Sequence, residues 1–204
     1  MKNSVYLLLF LLLSSCCGSL IAVIPLTEDE LAVDPYSGHE TLTFIDNNGY
    51  PIIYDNGNRK INTQVLEECD GGFCCDYYKI EHSYTYFESW YKQSDLQVII
   101  SNHFDMSTGR KETPEIHFTW NYYEDRFTAT SFMRLPVNAM EEKAIENGVF
   151  LDSLKLRQKT FYNVFTLPGH CYNPERLHAD TLYYTKSQGI VGLKLSNGNL
   201  WVIK

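Results

Sequence analysis

The chain has 204 residues, is 44% hydrophobic and 21% charged, and carries a formal charge of −8. That is the composition of one globular domain long enough to bury a core, and it excludes a disordered or low-complexity chain. Its Lys and Arg are scattered; the densest stretch, Lys155, Arg157 and Lys159, alternates along one strand-like face, which excludes the phosphate-neutralising patch that a nucleic-acid partner requires.

Lys2 precedes Val5–Leu13, nine uninterrupted apolar residues. That run is within the range of a signal peptide and too short to cross a bilayer. Leu13-Ser14-Ser15-Cys16 follows and resembles the lipobox of bacterial lipoproteins: an aliphatic residue, two small residues, then cysteine. The resemblance implies a signal peptide over residues 1–15, cleavage before Cys16, and acylation of the Cys16 sulfur and of the new amino terminus. Each buried methylene of such chains contributes about 0.8 kcal/mol, so several of them make a durable membrane anchor. Loss of residues 1–15 removes one base, Lys2, and no acid, taking the charge from −8 to −9. The alternative is an uncleaved anchor over Val5–Ile24, whose middle is weakened by Ser14, Ser15, Cys16, Cys17, Gly18 and Ser19. Either arrangement places the body outside the cytoplasm.

Residues 16–38 read as a tether, with Pro25, Pro35, Gly38, the acidic Thr27-Glu28-Asp29-Glu30 and no sustained period. Residues 39–204 read as a single β-rich domain. Aromatics make up 14% of the chain, with 15 tyrosines, and such residues suit pleated, half-buried surfaces. Over 77–91, Tyr78, Ile80, His82, Tyr84, Tyr86 and Trp90 share one face, with Lys79, Glu81, Ser83 and Thr85 on the other. Ile116, Phe118, Trp120 and Tyr122 alternate with Glu115, His117, Thr119 and Asn121, the signature of a half-buried strand. One short helix is expected over 139–147, with Asn138 as cap, Glu141 at the capping-box position and Gly148 as terminator.

Asn48-Gly49 and Asn197-Gly198 predict two-residue type I′ hairpins. The second sets Leu195 opposite Leu200 and Leu193 opposite Val202, with Trp201 and Ile203 on the reverse face. The fold class is therefore mainly β: an antiparallel curved sheet, as a half-barrel or a sandwich, with one short helix.

The C-terminal stretch contains Tyr162-Asn163-Val164, Tyr183-Tyr184, Gly189-Ile190-Val191-Gly192 and a final strand with Trp201. Together with the leader it resembles small uncharacterised envelope lipoproteins of Bacteroidota. The resemblance covers about the last 45 residues and the leader, and implies a lipid-anchored envelope protein, at the outer membrane, with a β-rich body and no assigned activity. Surface export in such bacteria goes with acids soon after the lipidated cysteine. Here the first acid is Glu28, twelve residues on, so the leaflet stays open.

Four cysteines remain beyond the leader: Cys69, Cys74, Cys75 and Cys171. Outside the cytoplasm disulfides are their expected state. A bond between the adjacent Cys74 and Cys75 would strain its small ring. That leaves Cys69 with one of them and Cys171 with the other, and the face assignment favours Cys69–Cys75 and Cys74–Cys171. The rival readings are one bridge with the remaining thiols free, and a metal site with His170, Cys171 and His178, whose spacings do not match the paired ligand spacings usual for zinc. His82, His103 and His117 fall in strand-like segments and read as packing or surface residues.

No nucleophile elbow, zinc-protease motif or phosphate loop occurs, and no cofactor is called for. The neighbouring pairs Glu67-Glu68 and Glu141-Glu142 do not by themselves make the facing carboxylates of a glycan hydrolase. Aromatics off the main aromatic face, Tyr77, Tyr91, Tyr123 and Trp201, are the candidates for ligand binding by stacking or in a greasy cavity. The expected function is non-catalytic binding of a ligand, glycan or protein partner at the membrane. An envelope glycan hydrolase and a structural subunit of an envelope assembly are the alternatives.

Overall fold

The period-two alternation resolves into fifteen strands in a computed structural model that describes residues 18–69, 75–89, 93–105, 107–124, 127–138, 140 and 148–204. The leader, Cys16, Cys74, Tyr91 and, Met140 apart, the helix expected over 139–147 lie outside the described residues. In chain order the elements are β1 (Leu20–Ile24), α1 (Glu28–Leu31), β2 (Leu42–Ile45), β3 (Pro51–Cys69), β4 (Cys75–Ser89), β5 (Ser94–Ser101), β6 (Phe104–Asp105), β7 (Arg110–Lys111), β8 (Glu115–Glu124) and β9 (Phe127–Pro136). There follow β10 (Val149–Leu156), β11 (Lys159–Pro168), β12 (His170–Cys171), β13 (Ala179–Thr185), β14 (Gly189–Leu195) and β15 (Leu200–Ile203).

Thirteen strands form one sheet, in the order β10-β11-β13-β14-β15-β2-β3-β4-β5-β8-β9-β12, with β1 added in parallel beside β4; β6 and β7 form a separate small hairpin. Every other pairing is antiparallel. The protein is thus mainly β, an open and strongly bent sheet that does not close into a barrel.

The bend lies in β3. Its first residues, Pro51–Tyr54, pair with β2, while Asp55 onward pairs with β4, and the register slips between Asp55 and Asn58. One strand therefore serves two half-sheets, whose inner faces meet. Leu96, Val98, Ile100, Ile116, Phe118 and Trp120 come from one half; Phe165, Leu167, Leu182, Tyr184, Leu193 and Trp201 come from the other, all in one buried cluster. Phe118 lies 4.9 Å from Tyr184 and Trp120 lies 5.9 Å from Trp201, ring centre to ring centre. Burying each such side chain contributes roughly 1.5–3 kcal/mol.

The C-terminal hairpin differs from its expectation by one residue. Leu193 opposes Trp201 and Gly192 opposes Val202. Of the turn dipeptide only Gly198 has a positive φ, and the Leu195 amide donates to Asn199 O at 2.8 Å. This is a three-residue turn, a geometry that needs φ > 0 only at the glycine. The extra residue turns every side chain of β15 over. Trp201 enters the main core beside Leu193, and Val202 joins Val191, Leu156, Phe161 and Val164 in a smaller cluster. Asn48-Gly49 behaves likewise: only Gly49 has a positive φ, and the Asp46 amide donates to Tyr50 O at 3.0 Å.

The described part of the expected tether is built into the domain. Leu26, Val33 and Tyr36 are buried. Thr27 caps α1 through a capping box with Glu30, a Thr-x-x-Glu pattern present in the acidic stretch. Arg59 on β3 holds the segment down, donating to Leu31 O at 3.1 Å, Tyr36 O at 3.0 Å and Ser83 Oγ at 3.0 Å. Thr85 donates to the buried Asp34 at 3.0 Å. Ser83, Thr85 and the buried Phe87 thus form the core-facing side of β4, and Tyr84 and Tyr86 look the other way, half-buried. Among the described residues no helix is long and apolar enough to cross a membrane.

Two predictions follow from the bend. A Cβ on Gly57 would stand 2.6 Å from Phe87 Cε1 and 2.9 Å from Glu40 O, so Gly57→Ala is expected to destabilise the fold by about 2 kcal/mol. Urea unfolding measures this, and a loss below about 0.5 kcal/mol would refute the tight bend. Beside it, burial works to raise the Glu40 carboxyl, but hydrogen bonds from Ser37 N, Ser37 Oγ, Gly38 N and His39 N outweigh it and bring it from 4.5 down to about 2. A carboxyl lowered on folding stabilises fully above its unfolded value, and the contribution fades as pH falls through the folded one. Glu40→Gln is therefore expected to be less stable than the parent at pH 7, with the gap closing between about pH 4.5 and pH 2. A gap that stays constant with pH would exclude the charged form as its source.

Candidate functional site

The face of β4, β5 and β8 turned away from the core carries the polar and aromatic side chains. Cross-strand register sets Glu88 opposite Asp95, Asp95 opposite Asn121, and Tyr86 opposite Gln97. Asp95 is 2% exposed. One oxygen accepts from Asn121 Nδ2 at 2.7 Å and Gln97 Nε2 at 3.3 Å; the other accepts from Tyr86 OH at 3.4 Å and from Tyr123 OH. A carboxylate has about four lone-pair directions, and here each has a donor. Asp95 is therefore a fixed organiser of its neighbours rather than a free base.

Around it lies a cavity of about 280 Å³ lined by Tyr86, Glu88, Ser89, Gln93, Ser94, Asp95 and Tyr123. Burial first, and then the Asp95 carboxylate, hold the Tyr86 and Tyr123 phenols well above the ordinary tyrosine value, so both stay protonated and keep donating to Asp95. Tyr84 stacks nearly parallel on Tyr86, with centroids 6.4 Å apart, which extends the aromatic wall. At the base of the cavity Ser89 and Ser94 are cross-strand partners. Ser94 Oγ meets Tyr54 OH at 2.9 Å, and Tyr54 OH accepts from Trp120 Nε1 at 2.8 Å. Ser89 is 2% exposed, yet its Oγ has no hydrogen-bond partner.

A second centre lies further along the same face. His82 on β4 is opposite Ser101, and Ser101 is opposite Glu115. His117 follows Glu115 by two residues on β8, so His82, Glu115 and His117 point to one side, and His103, in the segment just after β5, brings its ring beside Glu115 and His117. The small Ser101 leaves room between them. His103 Nε2 is 3.9 Å and His117 Nε2 is 3.4 Å from Glu115 Oε2. The two imidazole rings are 6.1 Å apart. Next to His117 a cavity of about 430 Å³ is lined by Phe132, Met133, Arg134, His170, Cys171 and Tyr172.

Of the four aromatic candidates, Tyr123 lines the first cavity and is 39% exposed. Trp201 is 4% exposed in the core and unavailable to a ligand, because the longer turn reverses its strand. Tyr77 is half-buried at the far end of β4, pairing with Leu20 of β1, and Tyr91 lies outside the described residues. Cys69 and Cys75 form the expected disulfide as a cross-strand pair with Cα atoms 4.2 Å apart. Cys171 is a free thiol, not the end of the long bridge expected to Cys74, and its place on β12 opposite Ser131 sets it against the larger cavity. His178 is committed elsewhere, to Asp180 at 3.0 Å and to Arg176 O at 2.7 Å, so the rival cluster with His170 and Cys171 is not assembled.

Asp95, Ser89 and the meeting of the three histidines were not anticipated from the sequence. Each depends on which residues face one another across β4, β5 and β8, and no local spacing encodes that. No known protein family, curated protein or solved structure matches the chain.

Proposed function

We propose that this is a non-catalytic ligand-binding domain of the cell envelope, held to a membrane by a lipid on Cys16, that takes a polyhydroxylated ring such as a sugar between Tyr86 and Tyr123. The observation that carries the ligand reading is the cavity of about 280 Å³ between two phenols, Tyr86 and Tyr123, that are both held in place by the buried Asp95 carboxylate. The Glu88 carboxylate in its wall offers an acceptor to a ligand hydroxyl, and the flat phenol faces suit the apolar face of a ring. The envelope reading rests on the lipobox-like Leu13–Cys16 and on the Cys69–Cys75 disulfide, which suits an oxidising compartment.

Glu88 and Asp95 are neighbouring carboxylates, which is the feature a glycan hydrolase would share. Asp95, however, has its acceptor positions filled by four donors, and a nucleophile or base needs a lone pair free. Binding without turnover is the better account of that arrangement.

A glycan array followed by calorimetry on the full chain tests it. Saturable binding to a glycan is expected, unaccompanied by hydrolysis. Tyr123→Ala and Tyr86→Ala are each expected to weaken it about tenfold or more, equivalent to about 1.4 kcal/mol. Silence across the array, or affinities unmoved by these changes, would overturn the ligand reading; release of reducing sugar would replace it with a hydrolase. Separately, Cys16→Ala is expected to move the protein from the membrane pellet to the soluble fraction. Pelleting that is unaltered by the substitution would remove the lipid anchor.

A further inference from the structure

We propose that His103, Glu115 and His117 form a binding site for a divalent transition-metal ion of the zinc class, with the His82 imidazole alongside. It is separate from the aromatic cavity: His117 and Tyr123 are six residues apart on β8, roughly 20 Å along a strand.

Three observations carry it. The donor atoms of His103, Glu115 and His117 all lie within 4.8 Å of one another. Zinc bound by nitrogen and oxygen at about 2.0–2.1 Å in a tetrahedron sets its ligands about 3.3–3.4 Å apart. His117 and Glu115 already stand at 3.4 Å, and His103 at 3.9 Å needs only a small closure.

The second observation is that Nε2 of His82, of His103 and of His117 is buried and makes no hydrogen bond. Three orphaned imidazole nitrogens on one face of a sheet are an anomaly, since buried polar atoms are nearly always satisfied. A metal ion satisfies two of them at once.

The third is the rigidity of the segment that carries His103. Asn102, buried beside His103, donates to Ile24 O at 3.2 Å, and the Glu112 amide donates to His103 O at 2.9 Å, so the loop that presents His103 is pinned on both sides.

Two imidazoles and one carboxylate leave at least one coordination position open. The larger cavity adjoins His117 and has Arg134 in its wall, so an anionic group reaching the open position would meet a guanidinium.

The test is titration of the full-length, chelator-stripped protein with Zn²⁺ by calorimetry, and with Co²⁺ by visible absorption. Expected are one ion per chain, with Kd of roughly 1 µM or below, and Co²⁺ bands of nitrogen–oxygen coordination. Glu115→Gln keeps the shape of the side chain and is expected to weaken binding at least about tenfold with an unchanged far-ultraviolet spectrum. His103→Ala/His117→Ala is expected to abolish it, while His170→Ala and His178→Ala leave it intact. No saturable binding below about 100 µM, or a stoichiometric site that survives both Glu115→Gln and the double substitution, would overturn the proposal. Glycan binding is read on the same stripped protein, so either centre can fail without the other.

Discussion

The shared strand β3 is the constraint on which the rest of the structure depends. A flat sheet of thirteen strands has two faces to cover and no second layer to cover them. Here Gly57 sits at a register slip in β3, against the Phe87 ring and the Glu40 backbone. The strand turns there, and the two half-sheets meet face to face. Trp120 against Trp201 and Phe118 against Tyr184 are contacts between halves that touch because one strand bends. Bulges and glycines are the usual means of bending a sheet. The N-terminal segment then covers part of the same core, with Arg59 donating to its carbonyls and Asp34 accepting from Thr85.

That arrangement decides which face of β4 is free. Read alone, β4 has an aromatic side and a small polar side, and the aromatic side looks like the core. The small polar side wins because the interior it meets is itself polar there: Ser83 accepts from Arg59 and Thr85 donates to Asp34, while Phe87 fills the apolar part. Buried polar groups with partners are tolerated, and those without are not. Tyr84, Tyr86 and His82 are displaced to the opposite face, beside Asp95, Gln97, His117 and Tyr123. Both candidate centres stand on the residues that the core did not take.

The sequence carried the strand alternation over 77–89 and 115–123, the location of the hairpin turns and the Cys69–Cys75 pair, because these depend on neighbours a few residues apart. The face of Trp201 was not legible from it. Asn-Gly fits a two-residue and a three-residue turn, and one residue of difference moves Trp201 from surface to core. The Thr27–Glu30 capping box was present in the tether but masked by its prolines and acids. Tyr123 was legible as an aromatic off the core face. Asp95 and the histidine group were not, because His82, His103, Glu115 and His117 come from three segments brought together only by the pairing of β4 with β5 and β5 with β8.

The aromatic cavity also explains why a hydrogen-bond chain runs through the aromatic part of the core. Trp120 and Tyr54 are both fully buried, and each has a polar atom that needs a partner. They satisfy each other, and the Tyr54 hydroxyl goes on to Ser94, at the cavity wall. Ser94 precedes Asp95, which is held in turn by Gln97, Asn121, Tyr86 and Tyr123. The wall is therefore tied to the core by directional bonds rather than carried on a loose turn. A site fixed in this way loses little freedom when a ligand enters, and the ordering of side chains is a main cost of binding. Asp95 in its turn holds both phenols, so the tie runs from Trp120 in the core out to the two rings that a ligand would stack on.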